Sequence, residues 1–357
     1  MTPEPRPLTF GLVGLGYWGP NLLRVLSEAP DIDVKWICDL DSQRLGRMGR
    51  RHPSCARTDD VELLLDDDEV DAIIIATPVF THFDLASRAL RAGKHTFVEK
   101  PLASSSESAE QLLDLAEEEE LVLMCGHTFV YSPPVRAVKK LIESGEIGDV
   151  FFISSNRVNL GLHQPDVSVI WDLGPHDFSI LRYWLGEAPR TVRAVGRDSI
   201  VRGIPDVAFI NLAYASGIVA NVELSWLAPS KLRRTVVVGS EKMVVYDDGM
   251  PEPVRIFDHG VVYKDPETYG EYHLSYRTGD ILSPKIETSE PLSAEMGDFA
   301  NAIRTGGEPV ASPRLAQSVV RLTEAADESL RRDGAEILLD EEPRKRTARS
   351  QRRLAVG

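Results

Sequence analysis

The stretch LTFGLVGLGYWGP, residues 8–20, constrains this chain more than any other. A short β-type apolar run stops at Gly14, and Gly14-Leu15-Gly16-Tyr17-Trp18-Gly19 opens a helical pattern reaching about Glu28. A bare GxGxxG says little, but one that follows a strand and starts a helix sits in the context that gives it meaning. The first glycine permits the tight turn, the second lets a pyrophosphate approach the backbone, and the third lets helix and strand pack closely. The N–H groups at the helix start then face the phosphates. The next strand, DVKWICD, closes with Asp39, 20 residues beyond Gly19. A carboxylate there accepts both ribose hydroxyls of NAD and repels a 2′-phosphate, which favours NAD over NADP. Arg44, near Asp41, keeps NADP open, because an arginine so close can reach a phosphate.

The β-α alternation continues. DAIIIATP, HTFVEKP and LVLMCG are each followed by a polar-faced helical stretch, the signature of a parallel sheet covered on both faces. After about residue 126 the pattern changes. FFISSNRV, TVRAVGRD, DVAFINLAY, GIVANVELSW, RRTVVVGS and KMVVYDD come close together, mostly alternating and separated by turn residues such as Ala215-Ser216-Gly217, as hairpins of an antiparallel sheet do. Two helical patterns, around AEMGDFANAIR and RLAQSVVRLTEAADESLRR, close the chain. At 357 residues two domains are expected. The reading is an α/β protein: a Rossmann dinucleotide-binding domain over 1–125, then an α+β substrate-binding domain over 126–340 with a large, mostly antiparallel open sheet.

A net charge of -15 argues against a nucleic-acid surface, which needs clustered Lys and Arg. The basic stretch RKRTARSQRR falls in 341–357, read as a solvated, disordered tail. No apolar run approaches the roughly 18 residues of a membrane helix, and MTPEPRPLTF has no signal-peptide core. Cys38, Cys55 and Cys125 are scattered singly, without metal or redox spacing. The expectation is a cytoplasmic protein without a metal, and Cys125 is taken as a small buried apolar residue.

Ligands of an open parallel sheet collect outside the carboxyl ends of its strands. Two strand ends there are distinctive: ATPVFTH supplies Thr77, Pro78 and His82, and VEKP supplies Glu99, Lys100 and Pro101. Lys100 precedes a proline, which biases it towards an extended stub at the crevice. In WDLGPHD, Asp172 and His176 stand four apart, on one face if helical. Pro175 is tolerated in a first turn, so the helix is expected to begin near Asp172. Asp172 could then simply cap that helix, and the helix start would lower the basicity of His176.

These pieces together, GLGYWG with Asp39, ATPVFTH, EKP and WDLGPHD, resemble the Gfo/Idh/MocA oxidoreductases over nearly the whole chain. EKP is the most specific of them. The resemblance implies a nicotinamide-dependent oxidation or reduction of sugar or cyclitol hydroxyls, and a homodimer or homotetramer through the open sheet. It implies that Lys100 bonds the reacting hydroxyl, His176 is the acid/base, and Asp172 binds substrate or orients its neighbour. Many relatives carry a glycine cluster shortly before this aspartate, where this chain reads DVSVIWD, so its pocket wall is expected to differ. GHTFVYSPPV and NRVNLGLHQPDVSVIWDLGPHD look most like the branch that oxidises C3 of UDP-N-acetylglucosamine-type sugars for a later aminotransferase. An aminoglycoside-type sugar ranks second and inositol third. Tyr131, Arg157, Asn159, His163 and Gln164 are further candidates for the sugar site, and Phe129 and Trp171 for core or pocket wall. A NAD-binding regulatory protein that has lost catalysis and an assembly protein using the open sheet are the rival readings. Retention of Lys100, Asp172 and His176 together speaks against the first.

Overall fold

In a computed structural model of the chain, the structure describes residues 6–161, 167–263 and 274–339. His163, Gln164 and the basic tail lie outside them. The first sheet holds β1 (Leu8–Val13), β2 (Ile32–Cys38), β3 (Ala56–Thr58), β4 (Ala72–Ile75), β5 (His95–Glu99) and β6 (Leu123–Gly126), in the order β3-β2-β1-β4-β5-β6 and all parallel. The chain winds outwards from β1 through β2 and β3, then crosses back to β4. That reversal opens a crevice at the carboxyl ends of β1 and β4. Strand β4, Ala-Ile-Ile-Ile, is buried at every position because helices cover both faces. The helices of this half are α1 (Gly19–Glu28), α2 (Ser42–Arg51), α3 (Glu62–Leu65), α4 (His82–Arg91) and α5 (Ser106–Glu118).

The second half begins with α6 (Pro133–Glu143), β7 (Val150–Leu160) and α7 (Val169–Leu185). There follow β8 (Thr191–Arg197), β9 (Val207–Ala213), β10 (Val219–Ser225), β11 (Leu227–Gly239), β12 (Met243–Asp247), β13 (Val254–Tyr263) and β14 (Leu274–Leu282). The two closing helices are α8 (Pro291–Thr305) and α9 (Pro313–Arg331), and a short β15 (Ile337–Leu338) ends the described chain. Its sheet runs β14-β13-β12-β11-β7-β10-β9-β8-β15, antiparallel except where β7 meets β10. β13 and β14 extend the sheet beyond the strands expected from the sequence. Alternation sorts its faces. Ile153, Ala194, Ile210 and Val222 point to the core, whereas Phe152, Val195, Phe209 and Val219 form part of an outward face and are 41–52% exposed.

The closing helices return to the first sheet. Phe299 of α8 packs on Phe10 and Phe97 at 5.8 and 5.9 Å, while Ala316 and Val320 of α9 join Val13, Ile75 and Val98 in the cluster on the opposite face. The parallel sheet is therefore finished by residues some 200 positions downstream of it.

Helix α7 corrects the reading of WDLGPHD. It begins at Val169, not near Asp172, so Pro175 is an interior residue and His176 lies in the third turn. An interior proline removes one main-chain bond, a cost of about 3 kcal/mol that packing must outweigh. Gly174, Pro175, Asp177 and Phe178 are all buried, and a Cβ on Gly174 would stand 3.0 Å from the Phe178 ring. The helix is packed between the second sheet and α9, and that burial holds it through the proline.

Candidate active site

The glycine turn fits a dinucleotide. Gly14 has φ +98°, and a Cβ on it would lie 2.5 Å from the carbonyl oxygen of Ala76, at the end of β4. A Cβ on Gly19 would collide with the Gly14 carbonyl at 2.1 Å, so both glycines are demanded by close approach. Gly16 faces open space, with only Arg44 Nη1 within 4 Å at 3.8 Å. The first main-chain bonds of α1, donated by Asn21 and Leu22 to the Trp18 carbonyl, begin beyond the turn. The N–H groups before them are offered to an anion. Tyr17 is exposed and Trp18 half-exposed, edge to face at the mouth.

Asp39 accepts from Leu15 N–H at 2.6 Å and from Asp41 N–H at 2.8 Å, which ties the turn to the end of β2. Asp41 caps α2, accepting from the N–H groups of Gln43 and Arg44. The Arg44 guanidinium lies 3.4 Å from Asp41 and 3.8 Å from Asp39, held by carboxylates and not left free for a phosphate. Asp39→Ala is expected to weaken NAD about ten- to a hundredfold, the worth of a charge-assisted hydrogen bond. Calorimetric titration with NAD reads this directly, and an unchanged Kd would remove Asp39 from the ribose site.

Beyond β4, the Thr77 hydroxyl shares a 2.7 Å bond with the Thr81 hydroxyl, and Pro78 is exposed at the crevice. His82, expected at the cofactor, is buried instead. Its Nδ1 lies 2.8 Å from the Pro101 carbonyl and its Nε2 2.9 Å from that of Thr77, and burial lowers its basicity. The neutral ring can donate to one of these carbonyls, and so braces the loops after β4 and β5. Glu99 is likewise buried; its carboxylate accepts from the Lys100 N–H at 3.2 Å, and burial pushes its pKa up to about 7. It supports Lys100 and does not line the crevice.

Lys100 leaves the end of β5 with its side chain 14% exposed. Its Nζ donates to the Asp172 carbonyl at 2.9 Å and lies 3.5 Å from Asp172 Oδ1. Asp172 Oδ2 accepts from Trp226 Nε1 at 3.1 Å. Asp172 is the fourth residue of α7, and Ser168, not Asp172, occupies the cap position. One turn on, His176 packs edge to face on Phe129 at 5.0 Å. Burial and the nearby cations Lys100, Arg157 and Arg233 hold its basicity well below that of a free imidazole, so the ring is neutral. That effect was expected from the helix dipole, but His176 lies more than a turn inside the helix, where the dipole has faded.

Two of the sugar-site candidates belong to the layer behind. Tyr131 is buried, donating to Asp298 Oδ2 at 2.7 Å and accepting from Ala311 N–H at 3.0 Å. Arg157 is buried in an ion pair with Asp177, whose other oxygen accepts from the Ser155 hydroxyl at 2.8 Å. Its guanidinium stacks on Phe129 at 4.6 Å and so stiffens the wall against which His176 rests. Asn159 stays near the site: a Cβ on neighbouring Gly161 would be 3.2 Å from Asn159 Oδ1 and 2.7 Å from the Trp226 ring. Trp171 and Phe129 are half-buried, and Cys125 is fully buried. The sequence reading missed Trp226, Arg233, Asp177 and His127. Asp177 ends WDLGPHD itself and His127 lies in GHTFVYSPPV, but neither motif says which way those side chains go; Trp226 and Arg233 carry no motif and arrive with the strands of the second sheet.

A glycine turn on a parallel sheet, with a lysine, a carboxylate and a neutral imidazole converging beside it, defines a dinucleotide-binding oxidoreductase. The chain belongs to the Gfo/Idh/MocA oxidoreductase family: residues 8–127 match its NAD-binding Rossmann fold and residues 135–245 its C-terminal domain. It is similar to inositol 2-dehydrogenase of Rhizobium meliloti, 27% identical over 90% of this chain and 96% of that one. It is 28% identical to UDP-N-acetylglucosamine 3-dehydrogenase of Acidithiobacillus ferrooxidans, over 82% of this chain and 88% of the relative. The structure of GenD2 from gentamicin A biosynthesis in complex with NAD superposes with a TM-score of 0.79 at 26% identity, covering 94% of this chain and 97% of the other. The protein is an NAD-binding oxidoreductase. Among the described residues no helix is long and apolar enough to cross a membrane.

Proposed function

We propose that this protein oxidises a secondary hydroxyl of a sugar, favouring C3 of a nucleotide sugar of the UDP-N-acetylglucosamine type, and so makes a ketone for later amination. The observation that carries this reading is the convergence of Lys100 and Asp172, 2.9 Å from Nζ to carbonyl, beside a neutral His176 at the carboxyl edge of the dinucleotide sheet. NAD, held by the turn from Gly14 to Gly19 and by Asp39, would supply the hydride acceptor for the carbinol carbon. The hydroxyl proton must leave in the same process, and a base has to touch that oxygen. His176 takes the proton, and Lys100 donates a hydrogen bond to the oxygen as negative charge grows on it. Asp172 holds Lys100 in place, itself fixed by Trp226.

The outward face with Phe152, Val195, Phe209 and Val219 is the surface this reading gives to a second copy of the chain.

The test is NAD reduction with UDP-N-acetylglucosamine, an aminoglycoside and myo-inositol, followed by mass spectrometry of the product. The expected result is a ketone two mass units lighter than UDP-N-acetylglucosamine, with deuterium placed at C3 appearing in NADH. Turnover of one of the others alone moves the assignment to that sugar. Silence across all three overturns it in favour of a regulatory NAD-binding protein.

A further inference from the structure

His127 follows directly on β6. Glu99 and Gly126 are register partners on adjacent parallel strands, so Lys100 and His127 leave the sheet side by side, about 4.8 Å apart in strand spacing. The His127 side chain is 1% exposed, and among the described residues neither Nδ1 nor Nε2 has a hydrogen-bond partner. Its main chain is fixed. The His127 N–H donates to the Cys125 carbonyl at 2.7 Å, and the next residue, Thr128, donates its hydroxyl to Glu295 Oε2 at 2.7 Å.

An unpaired buried polar group costs about 1–3 kcal/mol, so buried histidines are ordinarily bonded. His82, on the same edge of the same sheet, shows the ordinary case, a buried ring with a main-chain carbonyl to donate to. His127 has none, although its backbone leaves the sheet beside that of Lys100. Burial and the Lys100 ammonium lower its basicity to about 3, which leaves a neutral ring with one donor and one acceptor. That pair matches a hydroxyl, which also both donates and accepts.

We propose that His127 is a substrate-binding residue for the hydroxyl adjacent to the one oxidised, so that Lys100 and His127 grip a vicinal diol. This rests on the reading that a sugar hydroxyl is the reacting group. It adds a requirement on the substrate: the neighbouring carbon must carry a hydroxyl.

Two measurements test it. In protein labelled with ¹⁵N-histidine and saturated with NADH, the His127 ring signals, assigned by their loss in His127→Gln, are expected to shift when UDP-N-acetylglucosamine or myo-inositol is added. In turnover, His127→Phe is expected to raise KM about three- to tenfold for whichever of the two is oxidised, the worth of one neutral hydrogen bond. It should have no further effect on the deoxy analogue lacking the neighbouring hydroxyl, and His127→Gln should recover part of the loss. NAD affinity should not move. The proposal is overturned if neither compound shifts the His127 signals, or if His127→Phe penalises the deoxy analogue equally. A shift without turnover keeps His127 in place and sinks the oxidation; turnover with KM unaffected does the reverse.

Discussion

Replacing Lys100 with methionine is expected to lower kcat by about 10²–10³, the usual cost of removing a donor from an oxygen that gains charge in the transition state. Methionine keeps much of the length and packing of the chain and deletes only the ammonium. NAD affinity, followed by titration, should stay near that of the native protein, because the glycine turn and Asp39 are untouched. The substitution also frees the Asp172 carbonyl and carboxylate from Nζ. The control is Asp172→Asn, which keeps the main-chain carbonyl and is expected to lose less. A Lys100→Met protein with undiminished kcat would mean that the lysine only braces α7.

His176→Ala is expected to lower kcat by about 10²–10⁴, the contribution of a placed acid/base, again with NAD binding intact. The two losses should not add, since both groups act on one oxygen. The pH profile gives an independent reading. Oxidation needs the neutral imidazole, and burial with Lys100, Arg157 and Arg233 nearby holds its basicity well below 6.5. A lowered value means that the base form persists into acid, so the acid limb of kcat/KM is expected below pH 6.5 in the native enzyme. A limb at or above 6.5 that vanishes in His176→Ala would show that the site leaves the ring as basic as in water.

Much of the candidate site is legible in the sequence because it sits at ends of regular elements. Gly14, Asp39 and Lys100 each directly follow the end of an apolar run, Gly16 and Gly19 complete the turn into α1, and the parallel sheet brings those ends to one edge without further information. WDLGPHD is legible as a pair on one helical face, but its helix boundary is not. Proline was given the first turn because intrinsic preference puts it there, and burial of Phe178 and its neighbours outweighed that preference. His82, Tyr131 and Arg157 carried the right chemistry for a site. What held them were partners that no local pattern announces: a main-chain carbonyl for His82, Asp298 with Ala311 N–H for Tyr131, and Asp177 for Arg157, whose Nη1 has no partner among the described residues.

By itself the sequence determined the local conformations and their order: a strand closed by a glycine turn, a β-α series ending near residue 126, alternating strands beyond it, and the identity of the chemical groups. Apolar periodicity and glycine sterics act over a few residues, and a sequence displays them directly. Only the tertiary structure decided which polar groups are spent and which are left over. Packing returned α8 and α9 to opposite faces of the first sheet, set Asp172 against Lys100 and Trp226, and left the buried His127 ring, next to Lys100 in strand register, without a partner among the described residues. The two Asp172 pairings join positions 72 and 54 residues apart. They follow from sheet order and helix burial, which are global properties of the chain and have no signature at either end of the contact.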